Sequence, residues 1–211
     1  KKENGGDMMV DALRYYLTQI APETKDSEFT WKGFQDAINS ELVAIFGNFV
    51  NRALVLMHKL CNGKVPPLHV ELMDEADKQL FQEIQKSKVK IENSIESYKF
   101  RDALYEVIDL ARKGNKYMQD KQPWIVAKSL DTNPLAQKLI DNCLHICLQL
   151  TANLAVFINP FLPFAAKKMC HMMKVVDKML EWENAGKPKL VSVGYSLRAP
   201  ELLFRKIEDD E

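Results

Sequence analysis

Apolar residues in this chain recur at three- and four-residue steps over most of its length, the spacing that lines one side of an α-helix. Between Trp31 and Leu60 the positions Leu42, Ile45, Phe46, Phe49, Ala53, Leu56, Met57 and Leu60 form such a stripe, and Asn62-Gly63 and Pro66-Pro67 stop it. A second helix is predicted from about Asp74 to Ser97. A third runs from about Phe100 to Met118, with Ala103, Leu104, Val107, Ile108, Leu110 and Ala111 on its buried side, and Gln122-Pro123-Trp124 breaks the pattern. Asn133-Pro134 supplies an N-cap and first-turn pair for a fourth helix that reaches about Ile158. Further helices are predicted at Asp11 to Ile20 and Leu162 to Glu183, and Gly186, Pro188, Gly194 and Pro200 mark an irregular C-terminal tail. The expected fold class is all-α: a bundle of five or more helices with short connections. No internal repeat, low-complexity segment or signal peptide is visible.

Asn142 to Ala166 contains no charged residue over 25 positions, long enough for a membrane span. His145, Gln149, Thr151, Asn153 and Asn159 would each need a partner in lipid, and Pro160 and Pro163 divide the run, so a helix buried centrally in the bundle is expected instead. Composition agrees with a globular protein: 211 residues, 46% apolar and 27% charged, enough chain to bury roughly 70% of its unfolded surface without a staple. The four cysteines show no C-x-x-C pair, and Cys143 and Cys147 flank His145 in an apolar run. Reduced, buried thiols in a cytoplasmic protein are expected, not a zinc site. No Gly-rich phosphate loop, G-x-S-x-G or H-E-x-x-H occurs, and the four histidines are scattered, so an independent enzyme is not expected.

The chain carries 29 basic and 29 acidic residues, a balance that at first argues against a nucleic-acid binder. The charge is segregated, however. Lys86 to Lys128 holds ten bases against six acids, and Pro200 to Glu211 holds five acids against two bases. Tyr117 and Trp124 lie within the basic stretch, a combination suited to single-stranded RNA, although a solvated helix face would look the same. Asn48 and Arg52, four residues apart, share one face of the Trp31 to Leu60 helix. Trp124, placed after Pro123, sits on a corner where an indole can be presented largely exposed as a stacking surface, with core packing as the alternative.

Several segments resemble the C-terminal helical part of the methionyl-tRNA synthetase family of class I aminoacyl-tRNA synthetases. Asp11-Ala12-Leu13-Arg14-Tyr15-Tyr16-Leu17 resembles the helix after the catalytic domain, and Gly47-Asn48-Phe49-Val50-Asn51-Arg52 resembles the anticodon-reading helix. Asn115-Lys116-Tyr117 and Gln122-Pro123-Trp124-Ile125-Val126-Ala127-Lys128 resemble the N-x-Y and P-W-x-x-A-K block. Pro160 to Ala165 and Leu203 to Glu208 also match. The resemblance implies an anticodon-binding helix bundle whose partner is the anticodon stem-loop of tRNA(Met). Asn48, Arg52 and Trp124 would read the CAU anticodon, chiefly its first base, with Pro123 fixing the corner. Lys116, Lys121 and Lys128 are candidates for RNA-backbone contacts. It implies three parts: residues 1–30 ending a stem-contact region, 31–183 the anticodon-binding bundle, and 184–211 a tail packing back on it. The motifs of the catalytic half are missing and Lys1-Lys2-Glu3 reads like an interior cut. ATP and Mg, with structural Zn as an option, would therefore belong to a catalytic domain of the same chain and none to this fragment. The acidic ending Glu208-Asp209-Asp210-Glu211 is compatible with a linker to a further, dimerising domain. The alternatives are the same domain of a leucine, isoleucine, valine or cysteine enzyme, or a helical protein-interaction scaffold.

Overall fold

The structure is a computed structural model that describes residues 6–23 and 26–209, so Lys1-Lys2-Glu3 and Asp210-Glu211 lie outside the described residues. It is an all-α bundle. Helix α1 spans Gly6–Gln19. The long predicted helix is continuous but composite: α2 (Trp31–Ala37), a π-helical segment (Ile38–Gly47), then α3 (Asn48–Leu60). Thr30 opens it by accepting from Gly33 N at 3.0 Å, the capping bond that a threonine offers at a helix start.

Helices α4 (Glu75–Glu96) and α5 (Phe100–Lys121) form a hairpin that turns at Tyr98, where φ is 59°. Asp77 with Tyr117, Glu83 with Lys113 and Ser87 with Glu106 pair in descending order, which makes the two helices antiparallel. A capping box starts α4: Asp74 accepts from Asp77 N and Asp77 from Asp74 N, each at 3.1 Å. Helix α5 runs one turn further than its apolar stripe predicts, to Lys121, and ends where Gln122 takes a left-handed φ of 45°.

Helix α7 (Ala136–Ile158) is the centre of the molecule, packed on α3, α4, α5 and α8 (Pro163–Met173) and on the short α6 (Pro123–Val126), and buried from Ile140 to Ile158. Asn133 does not head the helix itself; its Oδ1 accepts from Leu135 N at 3.0 Å in the turn before it. By length and composition α7 and the Trp31–Leu60 helix could each cross a membrane. In α7 the polar side chains explain the buried placement. Gln149 accepts from Leu190 N and Val191 N at 2.7 and 3.1 Å and donates to Val191 O at 2.8 Å. Asn153 accepts from Gly186 N at 2.8 Å and donates to Lys187 O at 2.9 Å. His145 donates through Nδ1 to Pro66 O at 2.8 Å, and burial lowers its pKa, keeping the ring neutral.

Backbone groups of the tail at Gly186, Lys187, Leu190 and Val191 thus bond to polar side chains of a buried helix, while Gly194, Tyr195, Leu197 and Arg198 bond to the backbone of Val65, Gly63 and Met172. Its far end crosses to the π segment, where Asn39 exchanges two bonds of 2.9 Å with the backbone of Ile207. The predicted Leu162 to Glu183 helix stops early. Lys174 adopts a left-handed φ of 58°, Val175 N closes on Cys170 O at 3.0 Å, and only short 3-10 turns continue the chain, at Asp177–Leu180 and Trp182–Asn184. Val175 and Val176, β-branched and weak in helices, lie at that break.

Candidate nucleic-acid interface

In a π-helix the N–H groups reach back five residues instead of four, which widens the coil and shifts the register of the next helical turns. Here the shift ends at Asn48, whose N–H is shared between Ile45 O and Val43 O. Gly47 makes the turn possible, because a Cβ there would lie 2.9 Å from the Leu42 carbonyl oxygen, and backbone cannot move aside. The π segment therefore hands the chain to α3 with Asn48 at its first position and Arg52 one turn on.

Helix α5 comes unusually close to α3 and α7 at Gly114, where a Cβ would sit 2.7 Å from both Leu150 Cδ2 and Phe49 Cε2. That approach brings the next residue, Asn115, against the end of the π segment. Asn115 Nδ2 donates to Ile45 O at 2.9 Å, and its Oδ1 accepts from Asn48 Nδ2 at 3.0 Å. One turn on, Arg52 Nη2 reaches Gln119 Oε1 at 3.5 Å. Both contacts join residues 67 apart in sequence, so α3 and α5 run parallel here with matched i, i+4 pairs. The guanidinium of Arg52 also lies over the Trp124 ring, 5.2 Å from its centroid.

Trp124 sits on α6 directly after the left-handed Gln122, whose carbonyl accepts from Ile125 N and Val126 N at 2.8 and 3.1 Å. Pro123 is buried beneath it. The indole is half-buried and packed against the core, not largely exposed as its corner position predicts, because α6 lies on α7 and Arg52 covers part of the ring.

The basic residues divide. Lys128 is exposed, and Lys116 is 76% exposed while paired with Asp120 at 2.6 Å. Lys121 sits apart from the Asn48, Arg52 and Trp124 group, bound to Asp74 at 2.7 Å and Asp77 at 2.6 Å. Burial alone would lower its pKa, but the bonds to Asp74 and Asp77 outweigh that and hold it above the usual lysine value. Tyr117, grouped by its sequence position with the stacking aromatics, is buried; its hydroxyl donates to Asp77 Oδ1 at 2.6 Å, and burial raises its pKa. It is a strut between α4 and α5 and has no face for a base.

Asn115 and Gln119 are the residues that sequence reasoning missed as parts of this face. Their signal was a second i, i+4 polar pair, but only the packing of α5 on α3 shows that it faces the first. Among the described residues no group of three or more His, Cys, Asp or Glu side chains could hold a metal ion, and no Gly-rich loop cradles phosphate.

Residues 69–211 match the sequence model described as the anticodon binding domain of methionyl tRNA ligase, and residues 2–54 match the one described as tRNA synthetases class I (M). The methionine–tRNA ligase of Phocaeicola vulgatus is 48% identical over 200 residues, which cover 95% of this chain and 28% of that protein. That of Porphyromonas gingivalis is 48% identical over 199 residues, covering 94% and 28%. The chain thus spans little more than a quarter of these relatives' length. The fold is that of the free-state Mycobacterium tuberculosis methionyl-tRNA synthetase, with a TM-score of 0.88 at 22% identity over 97% of this chain and 40% of that one.

Proposed function

We propose a function on one premise: the chain belongs to the methionyl-tRNA ligase family, as its anticodon-binding domain. In that role Asn48, Arg52 and Trp124 read the first base of a CAU anticodon, and the 31–183 bundle selects tRNA(Met) for a ligase part of the same polypeptide, where ATP and Mg do their chemistry. The observation that carries the reading is the juxtaposition on one face of an Asn amide, an Arg guanidinium and an indole from two separate helices.

A base turned out of its stack offers a face and an edge. Stacking of the face on Trp124 contributes about 1–3 kcal/mol. A base that stacks where Arg52 now lies must slide the guanidinium aside, and the 3.5 Å contact to Gln119, at the outer limit for a hydrogen bond, resists this little. Arg52 then donates to the O2 and N3 acceptors of cytosine while the Asn48 amide meets its exocyclic amine. Uracil has a donor at N3 and an acceptor at position 4, so one buried polar group is left mispaired, at about 1–3 kcal/mol. Exposed Lys116 and Lys128 supply backbone contacts. Lys121, held by two carboxylates, supports α4 and α5 and stands as the weakest of the three for that role.

The test is the affinity of the chain for a CAU anticodon stem-loop against one with UAU, at two salt concentrations. A preference for CAU of about tenfold or more, with a shallow salt dependence, is expected. Equal affinities would sink the reading, and no salt-dependent binding to either would favour a protein-interaction scaffold.

A further inference from the structure

An amide at a reading position is ambiguous, because it carries a donor and an acceptor on atoms that can exchange places by rotation. We infer that Asn115 is a positioning residue that removes this ambiguity: it fixes the Asn48 amide with its acceptor, Oδ1, toward the base. The inference rests on the anticodon reading above and names what gives that reading its direction.

The polarity is set by a group that cannot rotate. Ile45 O is a backbone carbonyl and only accepts, so the Asn115 atom 2.9 Å from it must be Nδ2. Asn115 then turns Oδ1 toward Asn48, and the Asn48 atom 3.0 Å away must be the donor Nδ2. Asn48 Oδ1 is left with no partner among the described residues and is not a buried atom lacking one, so it is open to solvent on this face. The Ile45 carbonyl is fixed in turn by the π segment, where it also accepts the Asn48 N–H. Running along α3, the face then presents an acceptor at Asn48 and donors at Arg52. That is the complement of cytosine's edge, an amine donor followed by two acceptors. Against uracil, Oδ1 would meet O4, acceptor against acceptor. If Asn48 could flip, Nδ2 would welcome O4, and only the N3 donor of uracil, facing Arg52, would still tell the two pyrimidines apart.

The experiment compares CAU and UAU stem-loop affinities for the native chain, Asn115→Ala and Asn115→Asp, with thermal melts for each. Asn115→Ala frees the Asn48 amide, and the C-to-U affinity ratio should fall about tenfold, the size of one hydrogen bond made or lost. Asn115→Asp loses the bond to Ile45 O but keeps an acceptor for Asn48 Nδ2, so the ratio should stay within about threefold of native even where the melt is lowered. A cooperatively folded Asn115→Ala with the native ratio would overturn the inference. So would a ratio in folded Asn115→Asp that falls about tenfold below native, which also covers the case of an alanine variant that does not fold. Equal binding of both loops by the native chain would instead overturn the anticodon reading, a distinguishable result.

Discussion

Replacing Gly114 with alanine sets two effects of known sign against each other. In an exposed helix interior, Gly→Ala stabilises by about 1 kcal/mol. At Gly114 the new methyl carbon would be 2.7 Å from Leu150 Cδ2, 2.7 Å from Phe49 Cε2 and 2.9 Å from Phe49 Cδ2, roughly 1 Å inside normal carbon contact. Phe49 and Leu150 are both fully buried, so neither has free space to retreat into. Overpacking of this kind costs about 1–3 kcal/mol, which leaves a net loss of about 1 kcal/mol, or a Tm lower by about 2–4 °C for a chain of this size. The push separates α5 from α3 between Asn48-Phe49 and Gly114-Asn115, so CAU stem-loop affinity should fall by more than stability alone explains. Urea titration followed by circular dichroism gives the first quantity, with the m-value checked for constancy, and a stem-loop titration the second. A variant about 1 kcal/mol more stable than the native chain would show that the helices have room to spare, and would refute the close-approach argument.

Three other substitutions probe separate features. Trp124→Ala should cost about 1–2 kcal/mol in denaturant stability as well as stem-loop affinity, because the indole is half-buried against the core; unchanged stability would show the ring to be a free platform. Asp11, buried on α1, accepts from Ala165 N at 2.7 Å, and burial raises its pKa to about 6, against the pull of that bond and of Arg14. The folded chain then holds a proton that the unfolded chain, with a value near 3.9, has released. This contribution to stability falls as pH rises from about 4 to 6, by no more than about 3 kcal/mol. Asp11→Asn should flatten that slope relative to the native chain, and an identical pH profile would contradict it. Gln149→Leu leaves Leu190 N, Val191 N and Val191 O without their partner. It should cost about 2–4 kcal/mol and expose the tail to limited proteolysis, and a tail as resistant as the native one would count against the anchoring role.

The helices were legible because burial writes a period into the sequence: the Trp31 to Leu60 stripe and the α5 stripe both correspond to buried faces. The π segment was not, since ten residues of wider coil are too few to write a new period and leave the apolar count unaltered. The break at Lys174 depends on a left-handed residue that no glycine announces. At the candidate site, Asn48 and Arg52 are local in sequence and their shared face is a consequence of helix geometry. Their surroundings are not local. Lys121 looks like a free cation until Asp74 and Asp77 arrive from α4, Tyr117 looks like a stacking ring until its hydroxyl finds Asp77, and Asn115 acquires its part only through Gly114. Each of these depends on contacts about 36 to 70 residues distant along the chain.

The bond pair between Asn39 and Ile207 joins positions 168 residues apart, and it braces the π segment that sets the register of Asn48 and Arg52. During synthesis, at about 5–20 residues per second, roughly 8–34 s separate the emergence of these two partners. Over that interval α3 and the π segment before it exist without their last support. The residues first made in this part of the chain are the last to be completed in structure, so a nascent or truncated product holds Asn48 and Arg52 in a less firmly braced register than the full chain does.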